Sequence, residues 1–427
     1  MQVTINTISE VEHEAEFEMS GEELQPHFEK AYEKFKPKAE IRGFRKGKVP
    51  IPMIKQMYGE AIEHDALDDI ANEVYQKAME ERHINPIGRP SMTDMDFRRK
   101  EHFRFKIKYE VKPEIVLQKY KGVAVEKPVH TVTDAEVDAE IKQLQRSNSI
   151  TVDAQEVTDT ESVVTADVQE LDEAGSPLIG KKTPNAKFYL ADESLAGEIK
   201  TALAKAQMGG TYRVTLESQH EDHSHRSFLE FTVSRIQKVE LPPFDEALVK
   251  KVTSDTVSSP EEFRNSIRTD LERYWAGQAD ARVNDGLANE LVRLHEFPVP
   301  ETLVDAFQDS FVEEIKNRSK DKKLPKGFDE EKFRAENRAY AVWQAKWMLL
   351  KERIAEEEKL TVTDEDIATL VEGEAGRIGI DKNRLMDYYR KSSATTERIL
   401  SDKIMAMLKA NARITETTSP NEEKEPR

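Results

Sequence analysis

The chain contains no cysteine, which excludes a disulfide framework, a thiolate metal site and a cysteine nucleophile. This suits a reducing compartment, and the sequence is read as cytoplasmic. Aromatic residues are scarce, 7% of 427 residues with 3 tryptophans, whereas 34% of residues are charged and 37% hydrophobic. That balance supplies cores but favours extended helical surfaces over one globule, and the length implies about two to four domains. No run of about 18 apolar residues occurs, so no membrane partner is expected. The opening Met-Gln-Val-Thr-Ile-Asn lacks the basic and apolar regions of a signal peptide. No Gly-x-x-x-x-Gly-Lys-[Ser/Thr] loop is present to cradle a nucleotide, and no cofactor is expected. Basic residues are in deficit, 64 Lys and Arg against 82 Asp and Glu, for a net charge of −18. Phosphate neutralisation needs clustered Lys and Arg, so any RNA contact must be local.

One stretch reverses that sign. Between Ile41 and Pro50 stand Arg42, Arg45, Lys46 and Lys48 with no acid. Gly43 and Gly47 bracket the charges and Pro50 closes the run, which predicts a loop. Phe44 beside Arg45 on such a loop suits contact with phosphate or a carboxylate surface. The alternative is a solvated basic loop whose Phe44 folds back into the core. Gly43-Phe44-Arg45-Lys46-Gly47-Lys48-Val49-Pro50 resembles the G-F-R-x-G-K-x-P ribosome-docking signature of the trigger factor family, bacterial chaperones that meet nascent chains at the tunnel exit. The resemblance implies docking through Gly43, Phe44, Arg45, Lys46, Gly47, Lys48 and Pro50 on ribosomal protein and rRNA of the large subunit.

Around this loop, Val11, His13, Ala15, Phe17 and Met19 alternate with glutamates, a strand with one acidic face. Ser20 and Glu23 form a capping-box pattern that opens a helix through Phe35. A second helix is read from Pro52 to Met79, followed by a Pro86–Pro90 break and a strand at Phe103–Val111. The first domain, 1–112, is therefore expected to be an α/β unit in which two helices lift the loop off a small sheet.

Residues 113–150 carry turns and a helix opened by a capping box, Thr133 and Glu136. By resemblance they form a connector that packs with the C-terminal domain. From 151 to 241 the chain is rich in strands, with one helix read from Leu195 to Met208 and ended by Gly209-Gly210. This segment resembles the FKBP-type prolyl isomerase domain of the family, a small antiparallel sheet with one helix. Such sites hold proline in a cup of aromatics and desolvate the twisted amide. Here the corresponding positions are Val168, Glu170, Phe188, Leu195, Ile199 and Tyr212, largely without the family's aromatics, so weak or absent isomerase activity is expected and no catalytic residue is assigned. His220, Glu221, Asp222, His223 and His225 are the one cluster of metal-ligand types, but their spacing fits no helical ligand face. They are read as a solvated loop, and no metal site is assigned.

From 242 to 414 apolar positions recur at helical spacing. Ser259-Pro260-Glu261-Glu262 supplies an N-cap, a proline at the first turn and acids against the dipole. This half resembles the all-helical chaperone domain of trigger factors, whose arms enclose a cradle. Phe307, Phe311, Tyr340 and Met348 are its candidate contacts for unfolded chains. The polar stretch 415–427 is expected to be disordered.

The fold class expected is thus multidomain α+β: an α/β docking domain, an inserted antiparallel-sheet FKBP-like domain, and a helical chaperone domain discontinuous in sequence. The function implied is ATP-independent holding of nascent and unfolded polypeptides at the ribosome, assisting folding and export, with a homodimer formed away from it. Two other classes stay open: a protein that is chiefly a prolyl isomerase, and a helical adaptor or assembly factor whose basic loop binds another acidic partner.

Overall fold

A computed structural model describes residues 1–42, 44–220 and 223–418, with the backbone alone described at 218–220, 223–225, 377 and 378. The chain divides into two compact units, Met1–Glu126 with Val283–Thr415, and Lys127–Arg282 with the stretch from Glu416.

The N-terminal elements are β1 (Gln2–Thr7), β2 (Glu12–Ser20), α1 (Gly21–Phe35), α2 (Ile51–Asp65), α3 (Leu67–Glu81), β3 (Ile87–Arg98) and β4 (His102–Glu110). The four strands form one antiparallel sheet in the order β1-β2-β4-β3. Alternation along β2 buries Ala15, Phe17 and Met19, which face Ile107, Phe105 and Phe103 across the register. The wet face is a lattice of ion pairs, among them Lys108 with Glu12 at 2.5 Å and Arg104 with Glu18 at 2.9 Å. Ser20 and Glu23 make the reciprocal capping box at the start of α1. The helix read from Pro52 to Met79 is in fact two, meeting at Ala66. Strand β3 was not foreseen, because as an exposed edge it carries no buried alternation, and its Gly88 has a left-handed φ of 69°. A Cβ at Gly88 would stand 2.2 Å from Thr302.

The middle elements are β5 (Ala124–Val129), α4 (Asp134–Ser147), β6 (Ile150–Ala154), β7 (Ser162–Leu171), β8 (Pro177–Tyr189), α5 (Gly197–Leu203), β9 (Thr211–His220), β10 (His223–Glu240) and α6 (Glu246–Thr253). The sheet runs β6-β10-β7-β8 with β9 also paired to β10, all antiparallel. Its core gathers Val164, Ala166, Leu190, Leu203, Val214, Phe231, Val233 and Ile236 under α5. Helix α5 is shorter than the reading from Leu195 to Met208, ending at Leu203 before a turn at Gly209 and Gly210. Glycine at 210 is dictated by Tyr212, whose hydroxyl would stand 2.7 Å from an added Cβ.

The C-terminal elements are α7 (Pro260–Leu294), α8 (Glu301–Arg318), α9 (Glu330–Glu357), α10 (Asp364–Ile378), α11 (Lys382–Lys391), α12 (Ser393–Ala410) and β11 (Arg413–Thr418). Val123, Val125, Val283, Leu287, Leu291, Ile354, Ile404 and Leu408 close one core, and Ile115 joins Val292, Leu349 and Leu350 in another. Val132, Val137 and Ile141 pack against Phe244, Ile267, Leu271 and Trp275. The C-terminal stretch differs from the expected disorder at 415, since β11 carries ordered chain to Thr418. The N–H of Arg413 donates to the Val123 carbonyl at 2.8 Å, a pairing between segments too distant in sequence for local pattern to reveal. The multidomain α+β class, with helices and antiparallel sheets, is the one observed.

Candidate functional site: a basic turn, an aromatic helix face and an apolar sheet

The legs of the basic turn are buried and its tip is not. Ile41 and Val49 are 9% and 0% exposed and belong to the core under the N-terminal sheet. Between them Arg42, Arg45, Lys46 and Lys48 are exposed, and Phe44 is 41% exposed rather than folded into the core. Gly43 lies outside the described residues. The turn is shaped by its own backbone: Phe44 N–H donates to Ile41 O at 3.0 Å, and Lys48 N–H to Arg45 O at 2.9 Å. Gly47 adopts φ 75°, the left-handed region that only glycine enters freely. Pro50 then caps α2 in an extended conformation. The Tyr58 hydroxyl donates to Glu40 O at 3.3 Å and ties the turn to α2.

The four cations are not equivalent. Lys46 is held by Glu40 at 2.5 Å, and this hydrogen bond lowers the Glu40 carboxyl pKa below its ordinary value. Arg42, Arg45 and Lys48 form no ion pair among the described residues. Arg42 lies outside the eight-residue signature, and only its charge in an acidic chain marks it.

Behind the turn, three elements meet at Glu63, which is 8% exposed. The Arg99 guanidinium, from the β3–β4 turn, donates to it through Nε at 2.6 Å and Nη2 at 3.1 Å, and the Tyr32 hydroxyl of α1 donates as well. Burial alone would raise the Glu63 pKa, but the bonds from Arg99 and Tyr32 outweigh it and hold the carboxyl ionised. The same burial, with the neighbouring carboxylate, pushes Tyr32 upward. Gly59 leaves room for this contact, since a Cβ there would meet Arg99 Nη2 at 3.0 Å. Helices α1 and α2, which deliver the turn, are thereby locked to the sheet.

On the α8–α9 pair, Phe311 stacks on Tyr340 at 5.5 Å and Tyr340 on Trp343 at 5.9 Å. Tyr340 is 52% exposed, so this ladder shows an aromatic face. Trp343 was not among the candidate contacts, although its position three residues after Tyr340 places it on the same helix face. Phe307 is half-buried on α8. Met348 stands apart, packed against the core of Ile115, Val292, Leu349 and Leu350.

In the middle sheet, Ile199 is buried and Val168, Phe188, Leu195 and Tyr212 pack half-buried in the same cluster. Both rings are engaged: Phe188 meets Phe231 edge-on at 5.3 Å, and the Tyr212 hydroxyl accepts the Gln207 N–H at 2.8 Å. Glu170 is not in that cluster and faces Lys181 at 3.7 Å. An open depression nearby is lined by Gly197, Glu198, Thr201, Ala202, Arg213, Val214 and Thr215, none of them the expected pocket residues. Of the histidine cluster, Glu221 and Asp222 lie outside the described residues. His220 and His223 pair by backbone at the ends of β9 and β10, so the stretch read as a loop is mostly strand.

Residues 1–144 match the family model for bacterial trigger factor protein, and residues 259–410 match that for the trigger factor C-terminus. A trigger factor of Salinibacter ruber is 30% identical over 431 residues, covering 96% of this chain and 93% of that protein. One of Prosthecochloris aestuarii is 30% identical, with 97% of each chain covered. Among solved structures, one from a study of promiscuous substrate recognition by the trigger factor chaperone superposes with a TM-score of 0.52 at 18% identity, covering 96% of this chain and 99% of that one. The chain belongs to the trigger factor family of ribosome-associated chaperones.

Proposed function

We propose that the protein docks on the large ribosomal subunit beside the tunnel exit through the turn from Ile41 to Pro50, and holds emerging polypeptide on its C-terminal helices without nucleotide. The observation that carries this reading is Phe44 exposed among uncompensated cations on a turn whose legs are buried. Arg45, Arg42 and Lys48 supply charge for phosphate or carboxylate, and Phe44 supplies apolar area. Lys46 joins once Glu40 releases it. The stacked face of Phe311, Tyr340 and Trp343 offers weak apolar contacts that folding of the client withdraws. Docking domain 1–112, connector 113–150, FKBP-like domain 151–241 and helical domain 242–414 divide these tasks, with isomerase activity weak or absent.

The absence of cysteine allows a direct test. A photo-crosslinker on Ala339→Cys, beside Tyr340, should reach the nascent chain on stalled ribosomes, and Arg45→Ala in the same protein should greatly reduce the yield. Equal yields with and without Arg45→Ala, or none in either, would favour an adaptor with another acidic partner.

A further inference from the structure

Helices α8 and α9 run antiparallel, with Glu301 facing Arg338 and Asp309 facing Arg334. The turn joining them carries a second local reversal of charge. Lys320, Lys322, Lys323 and Lys326 stand there against two acids, Asp321 and the N-cap Asp329. All four lysines are exposed, and none forms an ion pair among the described residues. By contrast Lys316 and Arg318, at the end of α8, are paired with Glu313 and Glu314 at 2.6 and 2.7 Å. Asp321 forms no ion pair among the described residues, and its Oδ1 accepts the Lys323 N–H at 3.4 Å.

The turn is a built structure. Ser319 N–H donates to Lys316 O, Lys322 N–H to Ser319 O and Phe328 N–H to Pro325 O, each at 3.1 Å. Phe328 packs on Phe333 at 5.3 Å. Cations at the end of α8 complement its dipole, but Lys326 stands just before the N-cap Asp329 of α9, where the dipole disfavours positive charge. Four ammonium groups on one turn repel each other, and among the described residues no ion pair uses them.

We propose that this turn is a second anion contact, made to the phosphate backbone of structured RNA on the ribosomal subunit; the inference rests on the ribosome-docking reading above. A polypeptide client is the less fitting occupant, because Leu324 and Phe328 are half-buried and the turn exposes no large apolar side chain. Lysines without arginine or an exposed ring supply point charges suited to phosphate, without the planar fork or stacking surface that favours base recognition. The contact is therefore independent of base sequence and weakened by salt.

The test uses the full chain and purified large subunits over a salt series. Replacing the four lysines by glutamine on this exposed turn leaves the packing untouched. It should lower the slope of log K against log salt by about 2 to 3 and weaken binding about tenfold at moderate salt. A photo-crosslinker on Ser319→Cys should reach rRNA. An unchanged slope, or crosslinks only to nascent polypeptide or to a second copy of the chain, would overturn the proposal. A Phe44→Ala/Arg45→Ala variant run alongside separates the two readings. If it binds normally while the lysine variant does not, docking by the first turn fails and this contact stands; the reverse result removes this contact alone.

Discussion

Arg99 grips Glu63 through two hydrogen bonds, Nε to Oε2 at 2.6 Å and Nη2 to Oε1 at 3.1 Å, across 36 residues of sequence. The carboxylate is buried, so its charge is tolerable only while the guanidinium and the Tyr32 hydroxyl stay in place. Arg99→Met should cost about 3 kcal/mol in denaturant unfolding of the N-terminal elements, and adding Glu63→Gln should recover part of it. An additive cycle would show that the pair does not couple.

Glu110 supplies a cap at a distance. Its carboxylate accepts the N–H groups of Glu301 and Thr302 at 3.0 and 2.9 Å, at the first turn of α8, where Pro300 offers no side-chain cap. Glu110→Ala should destabilise that turn by about 1 kcal/mol, read as faster amide exchange at Glu301 and Thr302. Unchanged protection at both amides would show that the cap contributes nothing.

Acid should loosen the joint between α4 and the middle sheet. Glu161 is pushed up by burial, but the bonds from Arg146, Tyr189 and Lys142 prevail and hold its carboxyl at about 2, against an ordinary 4.5. Because the folded pKa is depressed, the stabilisation is complete above about 4.5 and is lost as pH falls toward 2. The stability gap between wild type and Glu161→Gln should therefore shrink across that window. A gap that stays constant would assign the joint to packing alone.

A proline-peptide assay on the full chain should show little acceleration. Phe188 and Tyr212, the two rings at the expected pocket, are committed to Phe231 and to the Gln207 N–H. A rate near that of an intact FKBP-type domain would contradict this.

Legibility in the sequence followed locality. Ser20 with Glu23 and Thr133 with Glu136 announced their helices, because a capping box spans one turn and both halves are visible in the text. Long apolar stripes placed α7, α8 and α9 for the same reason. Edge strand β3 escaped because nearly all of it is exposed, and α6 because its 8 residues span too few turns to show a period. The break at Ala66 has neither proline nor glycine to mark it. At the site, the signature fixed the turn, but the Glu40–Lys46 pair, the exposure of Phe44 and the Arg99–Glu63 support depend on packing between distant segments.

The most direct test of the docking claim is co-sedimentation of the full chain with large ribosomal subunits, comparing wild type with Phe44→Ala/Arg45→Ala/Lys46→Ala over a salt series. Wild-type binding that weakens with salt and is lost in the variant is the predicted result. Equal sedimentation of both proteins, or of neither, would contradict the assignment of the basic turn as the anchor.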